Sequence, residues 1–177
     1  MATYLLGIDV GTTGSKAVLV EPDGAVKASA TTEYPMYTPQ PLWAEQNPAD
    51  WWTATIASIR RLLDEGGVKA NQVAGVGLTG QMHGLVLLDA QGEVLRPCIM
   101  WNDQRTAAQC AAITQKVGLE NLLRLTGNPV LPGFTAPKIV WVRENEPQVY
   151  ARAAKVLLPK DYVRYCLTGG FFGEVSD

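Results

Sequence analysis

Gly7-Ile-Asp-Val-Gly-Thr-Thr-Gly14, followed at once by Ser15-Lys-Ala-Val-Leu-Val20, is the stretch on which the fold of this chain turns. Leu5, Leu6 and Ile8 predict a short apolar strand with Asp9 near its end. Residues 15–20 alternate polar and apolar, the pattern of a half-buried second strand. Gly11 and Gly14 are expected to permit a tight turn where bulkier residues would strain the backbone. A dinucleotide-binding turn would open a helix after its glycines, and a Walker loop would end in Gly-Lys-Ser/Thr; neither follows here. A Gly/Thr-rich hairpin instead offers backbone N–H groups and the Thr12 and Thr13 hydroxyls to an anionic group. Asp9, at the mouth of the turn, suits a metal ion or its bound water. An ordinary hairpin with a capping Asp uses the same residue types, so both readings stay open on this motif alone.

Composition narrows the class. Of 177 residues, 47% are hydrophobic and 18% charged, the balance of a globular chain. That length suits one domain with a sizeable core, or a large piece of something bigger. A net charge of −2 provides no basic footprint for nucleic acid or an anionic membrane. The apolar runs are far shorter than a bilayer span requires, and the N-terminus enters a strand without the regions of a signal peptide. Cys98, Cys110 and Cys166 are odd in number and lack Cys-x-x-Cys spacing, which argues against a disulfide framework or a zinc site. A reducing cytoplasm is the expected location.

Glu21-Pro22-Asp23-Gly24 is a turn in which Pro presets φ and Gly accepts a positive φ. It leads to a third strand near Val26–Glu33, so three antiparallel strands open the domain. Asn47-Pro48 predicts a helix start, with the Asn side chain as cap and Pro at the first helical position. Trp52, Ile56, Ile59 and Leu63 predict one apolar stripe facing a core, and Gly66-Gly67 its C-terminal end. Val73–Thr79 reads as a buried strand ending in Gly80-Gln-Met-His-Gly84. Leu85–Leu88 and a turn at Asp89–Gly92 predict a second hairpin, and Cys98–Trp101 a further apolar strand. Helices are expected over Gln104–Val117, Leu119–Leu125, Thr135–Asn145 and Lys160–Leu167, with a short strand at Val156–Leu158. This order predicts an α/β domain with a mixed sheet.

Polar residues gather in three places, each just past a strand, where ligands of open α/β sheets bind. The first is Asp9 with Thr12 and Thr13. The second is Gln81-Met82-His83, flanked by glycines. The third is Trp101-Asn-Asp-Gln-Arg105. His83 is the only histidine and has no partner at ligand spacing for a metal, which leaves a structural role or a binding role. Asp103 reads either as the N-cap of the following helix or as a carboxylate that takes sugar hydroxyls beside the flat face of Trp101. Arg105 reads as a solvated helix residue. Core or helix-face packing suffices for Trp43, Trp51, Trp52 and Trp141.

With these segments in view, the chain resembles the FGGY family of carbohydrate kinases, in its xylulokinase branch. The resemblance is carried by Gly7–Gly14, Pro41-Leu-Trp-Ala-Glu-Gln46, Gly80-Gln-Met-His-Gly84, Met100-Trp-Asn-Asp-Gln-Arg105, Pro132-Gly-Phe-Thr-Ala-Pro-Lys138 and Leu158-Pro-Lys-Asp-Tyr162. The first segment alone indicates only the actin/hexokinase/Hsp70 superfamily; the related glycerol kinases place Arg-Glu where Met82 and His83 stand.

The resemblance implies an actin-like ATPase, ribonuclease H-like domain with a mixed sheet. It implies transfer of the γ-phosphoryl of Mg-ATP to a primary hydroxyl of a ketose, D-xylulose. By matching positions, Asp9 would organise Mg²⁺ near the transferred phosphate, and the backbone around Thr12, Thr13 and Gly14 would receive phosphates. Met82 and His83 would contact the sugar, with Trp101 and Asp103 lining the same pocket. The intact enzyme would be a homodimer.

The family's catalytic base, an Asp in a Gly-Gly-Asp-Asn segment, has no counterpart here. Residues 1–177 are therefore expected to be an incomplete N-terminal domain, with the base and the ATP-binding C-terminal domain beyond Asp177. Glu174-Val-Ser-Asp177 matches the family where more chain follows, and Gly169–Gly173 is not expected to cap a finished domain. Two other readings remain at this stage: a non-catalytic sugar-binding module, and a piece of an actin-like ATPase that binds no sugar.

Overall fold

The computed structural model describes residues 3–173, so Glu174–Asp177 lies outside the described residues. The chain divides into two compact units. Of the described residues, one unit comprises 3–35, 47–81 and 159–173; the other comprises 36–46 and 82–158.

In the first unit, β1 (Tyr4–Val10), β2 (Gly14–Val20), β3 (Val26–Glu33) and β5 (Val73–Gly80) form one sheet in the order β3-β2-β1-β5. The β1–β2 and β2–β3 pairs are antiparallel and the β1–β5 pair is parallel, so the sheet is mixed, as expected. The turn at Glu21–Gly24 closes through the Gly24 N–H to the Glu21 carbonyl at 2.9 Å, with Gly24 at φ 92°. Helix α1 (Pro48–Gly66) packs on β2 and β3, and α6 (Pro159–Thr168) packs on β1 and β5. Asn47 caps α1 by accepting from the Ala49 N–H at 3.1 Å. The other end closes at Gly67 (φ 62°), whose N–H donates to Asp64 O while Val68 N–H donates to Leu63 O. This double bond is the Schellman pattern, in which a left-handed glycine stops a helix.

The stripe of α1 differs from expectation. Trp52, Ile56, Ile59 and Leu63 are only half-buried, whereas Trp51, Ala54, Thr55, Ser58 and Leu62 form the fully buried face. Hydroxyl chemistry explains the rotation. Ser15 and Thr55 hydroxyls lie 2.8 Å apart, and Ser58 Oγ donates to the Ser15 carbonyl at 2.8 Å and meets Thr32 Oγ1 at 2.9 Å. Small side chains bring the helix close to the strands, and the buried polar groups satisfy one another. Ser58→Ala is expected to lower stability by about 1–2 kcal/mol by leaving the Ser15 carbonyl without this donor; urea denaturation of the two proteins checks it.

The Val73–Thr79 strand also departs from its reading as buried. Val76 on β5 is 55% exposed and Leu5 on β1 is 53% exposed. Apolar runs mark a strand, but they do not report whether both faces are covered. Gly169 has φ 70° and donates its N–H to Tyr165 O at 2.7 Å, a left-handed close to α6.

In the second unit, β4 (Glu45–Gln46) pairs antiparallel with β7 (Cys98–Ile99), and β6 (Val86–Leu88) pairs antiparallel with β8 (Lys155–Leu157). The Asp89 carboxylate caps the predicted turn by accepting from the N–H groups of Gln91 and Glu93, both at 3.0 Å. Helices α2 (Ala107–Val117), α3 (Leu119–Thr126), α4 (Thr135–Asn145) and α5 (Pro147–Arg152) complete the unit. Its core gathers Leu85, Leu87, Ile99, Trp141 and Val142, with Trp43 packed against them. Helix α2 starts at Ala107 rather than Gln104, because the preceding turn is held by the Asp103 N–H to Met100 O, the Gln104 N–H to Leu42 O and the Arg105 N–H to the Asp103 carboxylate. Among the described residues, no helix is long and apolar enough to cross a membrane.

Candidate functional site

The first polar cluster sits where β1 turns into β2. Gly11 donates its N–H to Gly14 O at 3.0 Å, and the antiparallel register sets Asp9 opposite Lys16. The glycines here serve space rather than φ, since neither lies at positive φ. A Cβ on Gly14 would stand 2.8 Å from Thr32 O, and one on Gly11 would stand 3.2 Å from Gly14 O. Tyr34, just past β3, clamps the turn: its hydroxyl donates to Gly11 O at 2.6 Å and its N–H to Thr13 O at 3.2 Å. Burial, and then the charge of Asp9, hold the Tyr34 phenol well above its ordinary pKa, so it stays a donor. This turn is therefore braced before any ligand arrives.

Asp9 is exposed and lines an open cleft of about 470 Å³ with Gly7, Lys16, Val18, Gly77 and Thr79. Gly7 and Gly77 are paired across β1 and β5, so glycine backbone paves part of the cleft and leaves room over it. Gln81 N–H donates to Val10 O at 2.8 Å, which keeps the end of β5 beside the end of β1. A carboxylate, a neighbouring ammonium and a braced Gly/Thr turn form a setting that can receive a phosphate and a magnesium ion. Magnesium is commonly held by one or two carboxylates, with substrate phosphates and water completing its shell. A single carboxylate fits that pattern, and among the described residues no cluster of three or more His, Cys, Asp or Glu forms an all-protein metal cage. Sequence reading passed over Lys16 and Tyr34. The hairpin register would have set Lys16 beside Asp9; Tyr34 lies beyond the next strand and gave no local signal.

Met82 and His83 of the second cluster and the whole third cluster belong to the other unit, and Pro132–Lys138 links them. Met82-His83-Gly84 is a three-residue turn in which Gly84 N–H donates to Met82 O at 2.8 Å and His83 takes φ 61°. Left-handed backbone is uncommon for a residue with a side chain, and the compact γ-type turn is strained. The His83 carbonyl accepts from Lys138 Nζ at 2.7 Å and from the Thr135 hydroxyl at 3.1 Å. Lys138 Nζ also donates to Gly133 O at 2.6 Å. The His83 ring packs on Phe134 with centroids 4.7 Å apart. A Cβ on Gly133 would stand 2.7 Å from Trp101 O, so the glycine permits the loop to seat against the Trp101 backbone. Met82 and Trp101 remain 39% and 36% exposed, available to a ligand. Lys138 is wholly buried, and burial lowers its pKa to about 8.

Asp103 and Arg105 differ from their readings. Asp103 is wholly buried and caps no helix. Its carboxylate accepts from the Ala44 N–H at 2.7 Å, from the Arg105 N–H at 2.9 Å, and from the Arg105 guanidinium at 2.7–3.0 Å. Arg105 is no solvated residue: its side chain is 1% exposed, and its guanidinium lies 3.7 Å from the Trp43 ring centroid and 4.9 Å from that of Trp141. The network extends through Glu45, 2.8 Å from Arg105 and 2.7 Å from Arg96, to Glu146, 2.7 Å from Arg96. A run of Asn-Asp-Gln-Arg cannot reveal this, because the partners at Trp43, Glu45, Arg96 and Trp141 are distant in the chain.

The fold is of the actin-like ATPase, ribonuclease H-like class, with this chain forming its N-terminal part. The chain belongs to the FGGY family of carbohydrate kinases: the family's N-terminal domain matches residues 4–177. It is 46% identical over 174 residues to a xylulose kinase of Bacillus subtilis and 45% identical over 172 residues to a xylulose kinase of Escherichia coli. These alignments cover 98% and 97% of this chain, but the chain spans only 35% of each relative. A crystallised xyloylose kinase from Brucella ovis superposes with a TM-score of 0.89 at 45% identity, covering 94% of this chain and 34% of that one.

Proposed function

We propose that residues 1–177 are the N-terminal domain of an ATP-dependent ketose kinase that converts D-xylulose to D-xylulose 5-phosphate. The observation that carries this reading is the exposed pair Met82 and Trp101 around a His83 turn built in a left-handed, clamped form. The identity of 45–46% to xylulose kinases supports the choice of sugar. Their greater length supports a further domain that supplies the catalytic base and the adenine pocket.

In this reading, Met82, His83 and Trp101 line the sugar pocket. The imidazole offers a hydrogen bond to a hydroxyl, and the indole offers a face to the sugar's C–H groups. Asp103 takes part as the buried brace of the Trp101–Arg105 turn rather than as a direct acceptor of a hydroxyl, since its oxygens are engaged by Arg105 and Ala44. The braced turn of Thr12, Thr13 and Gly14 receives phosphate oxygens through backbone N–H groups and hydroxyls. Asp9 would hold Mg²⁺, which when bound with ATP neutralises charge on the transferred phosphoryl group. Lys16, the cross-strand neighbour of Asp9, adds positive charge to the same cleft. The family resemblance supports a homodimer in the cytoplasm.

Calorimetry of the full-length protein with D-xylulose tests the sugar site. His83→Ala is expected to weaken D-xylulose affinity by about tenfold, the cost of one hydrogen bond to a sugar hydroxyl. Its nucleotide KM should move less than about twofold if the two sites are independent. A variant that merely melts earlier and binds the sugar as before would give His83 a structural role only.

A further inference from the structure

Lys138 is hard to explain as a stabilising residue. Its ammonium is wholly buried and lies in the first turn of α4, where the helix dipole disfavours a cation. Burial penalises the charge, so its place depends on the groups it bonds. Its hydrogen bonds go to the backbone carbonyls of His83 and Gly133. His83 is one of two non-glycine residues at positive φ among those described, and its carbonyl receives a second donor from Thr135. Strained backbone of this kind persists where the surroundings over-determine it, and it clusters at ligand sites. Gly133, the other carbonyl held, is the residue that closes on Trp101. One ammonium thus ties together the backbone on both sides of the candidate sugar contacts.

We propose that Lys138 is a positioning residue for sugar recognition, holding the His83 carbonyl with Thr135 so that the Met82–Gly84 turn stays left-handed and the His83 ring keeps its direction. This rests on the sugar-kinase reading above. A charge-assisted donor suits the task because its bonds are shorter and stronger than neutral ones, and a carbonyl with two donors cannot rotate away without losing both. Phe134, the residue just before α4, packs on the ring itself with centroids 4.7 Å apart. The arrangement acts through His83; Lys138 itself touches no substrate in this account.

The test uses the full-length protein with Lys138→Met, which keeps the stem and removes the charge, and with Thr135→Val, which removes only the weaker donor. Two readouts are taken: D-xylulose affinity by calorimetry, and hydrogen exchange at the Gly84 amide, whose bond to Met82 O closes the turn. Lys138→Met is expected to raise the D-xylulose Kd about tenfold and Thr135→Val about threefold. The Gly84 amide should exchange faster in the same order, with the nucleotide KM within about twofold of the parent. Unchanged sugar affinity in a folded variant overturns the proposal, and so does weaker affinity with unchanged Gly84 exchange. If Lys138→Met does not fold, Thr135→Val decides on the same two readouts. If the parent protein takes no D-xylulose, the sugar-kinase reading falls and this proposal with it; Gly84 exchange then still reports whether the two donors hold the turn.

Discussion

Asp9→Ala is expected to lower kcat of the full-length protein by about three orders of magnitude, the scale of removing a main electrostatic element of phosphoryl transfer. D-xylulose affinity should stay within about twofold, since Asp9 is assigned to the metal and phosphate and not to the sugar. Phosphoryl transfer leaves the protein little covalent work, so positioning and charge neutralisation supply most of the acceleration. Asp9 is the carboxylate that lines the cleft on the β1–β5 face, opposite Lys16 and beside a turn braced by Tyr34. The substitution removes no packing, because the side chain is exposed at the strand end. Parent-like turnover in this variant, measured by coupled ADP release, would remove Asp9 from any metal or phosphate role.

Arg105→Leu is expected to destabilise the chain by about 3–5 kcal/mol, because it strands a buried carboxylate. That is a large share of the roughly 5–15 kcal/mol that holds a domain folded. Asp103, wholly buried, would keep only the backbone N–H groups of Ala44 and of position 105, with no counterion at contact distance among the described residues. Glu45 would retain Arg96 alone. Arg105→Lys is expected to recover little of the loss. A lysine cannot make the forked contact to both Asp103 oxygens, nor stack as a plane against Trp43 and Trp141. Thermal unfolding followed by circular dichroism checks both variants. A melting temperature near that of the parent for Arg105→Leu would mean that the pair is dispensable and that packing of Trp43 on Trp141 suffices.

Asp9 and Arg105 separate what local pattern reveals from what it hides. The hairpin at Gly7–Val20, the cap at Asn47-Pro48, the left-handed stop at Gly67 and the limits of α4 were all legible, because each depends on residues within a few positions of one another. The mixed sheet followed from strand order. The buried face of α1 was misread because Thr55 and Ser58 look solvent-facing by hydropathy, while the strands offer them Ser15 and Thr32 as partners. β5 was misread because apolar residues define a strand without defining its cover. Within the candidate site, the segments carrying Asp9, Met82, His83 and Trp101 stood out for their glycines and polar tips. Their supports did not: Tyr34 reaches Gly11 across 23 positions, Lys138 reaches His83 across 55, and Ala44 reaches Asp103 across 59. Residues that hold a site in place are chosen by tertiary distance, and one chain read in order does not contain that distance.

Sugar-dependent phosphoryl transfer is read as ADP release by the full-length protein with Mg-ATP, with and without D-xylulose. Release that requires D-xylulose, matched mole for mole by sugar phosphate, is the result expected. ADP release at the same rate without sugar, or no release with D-xylulose present, would contradict it.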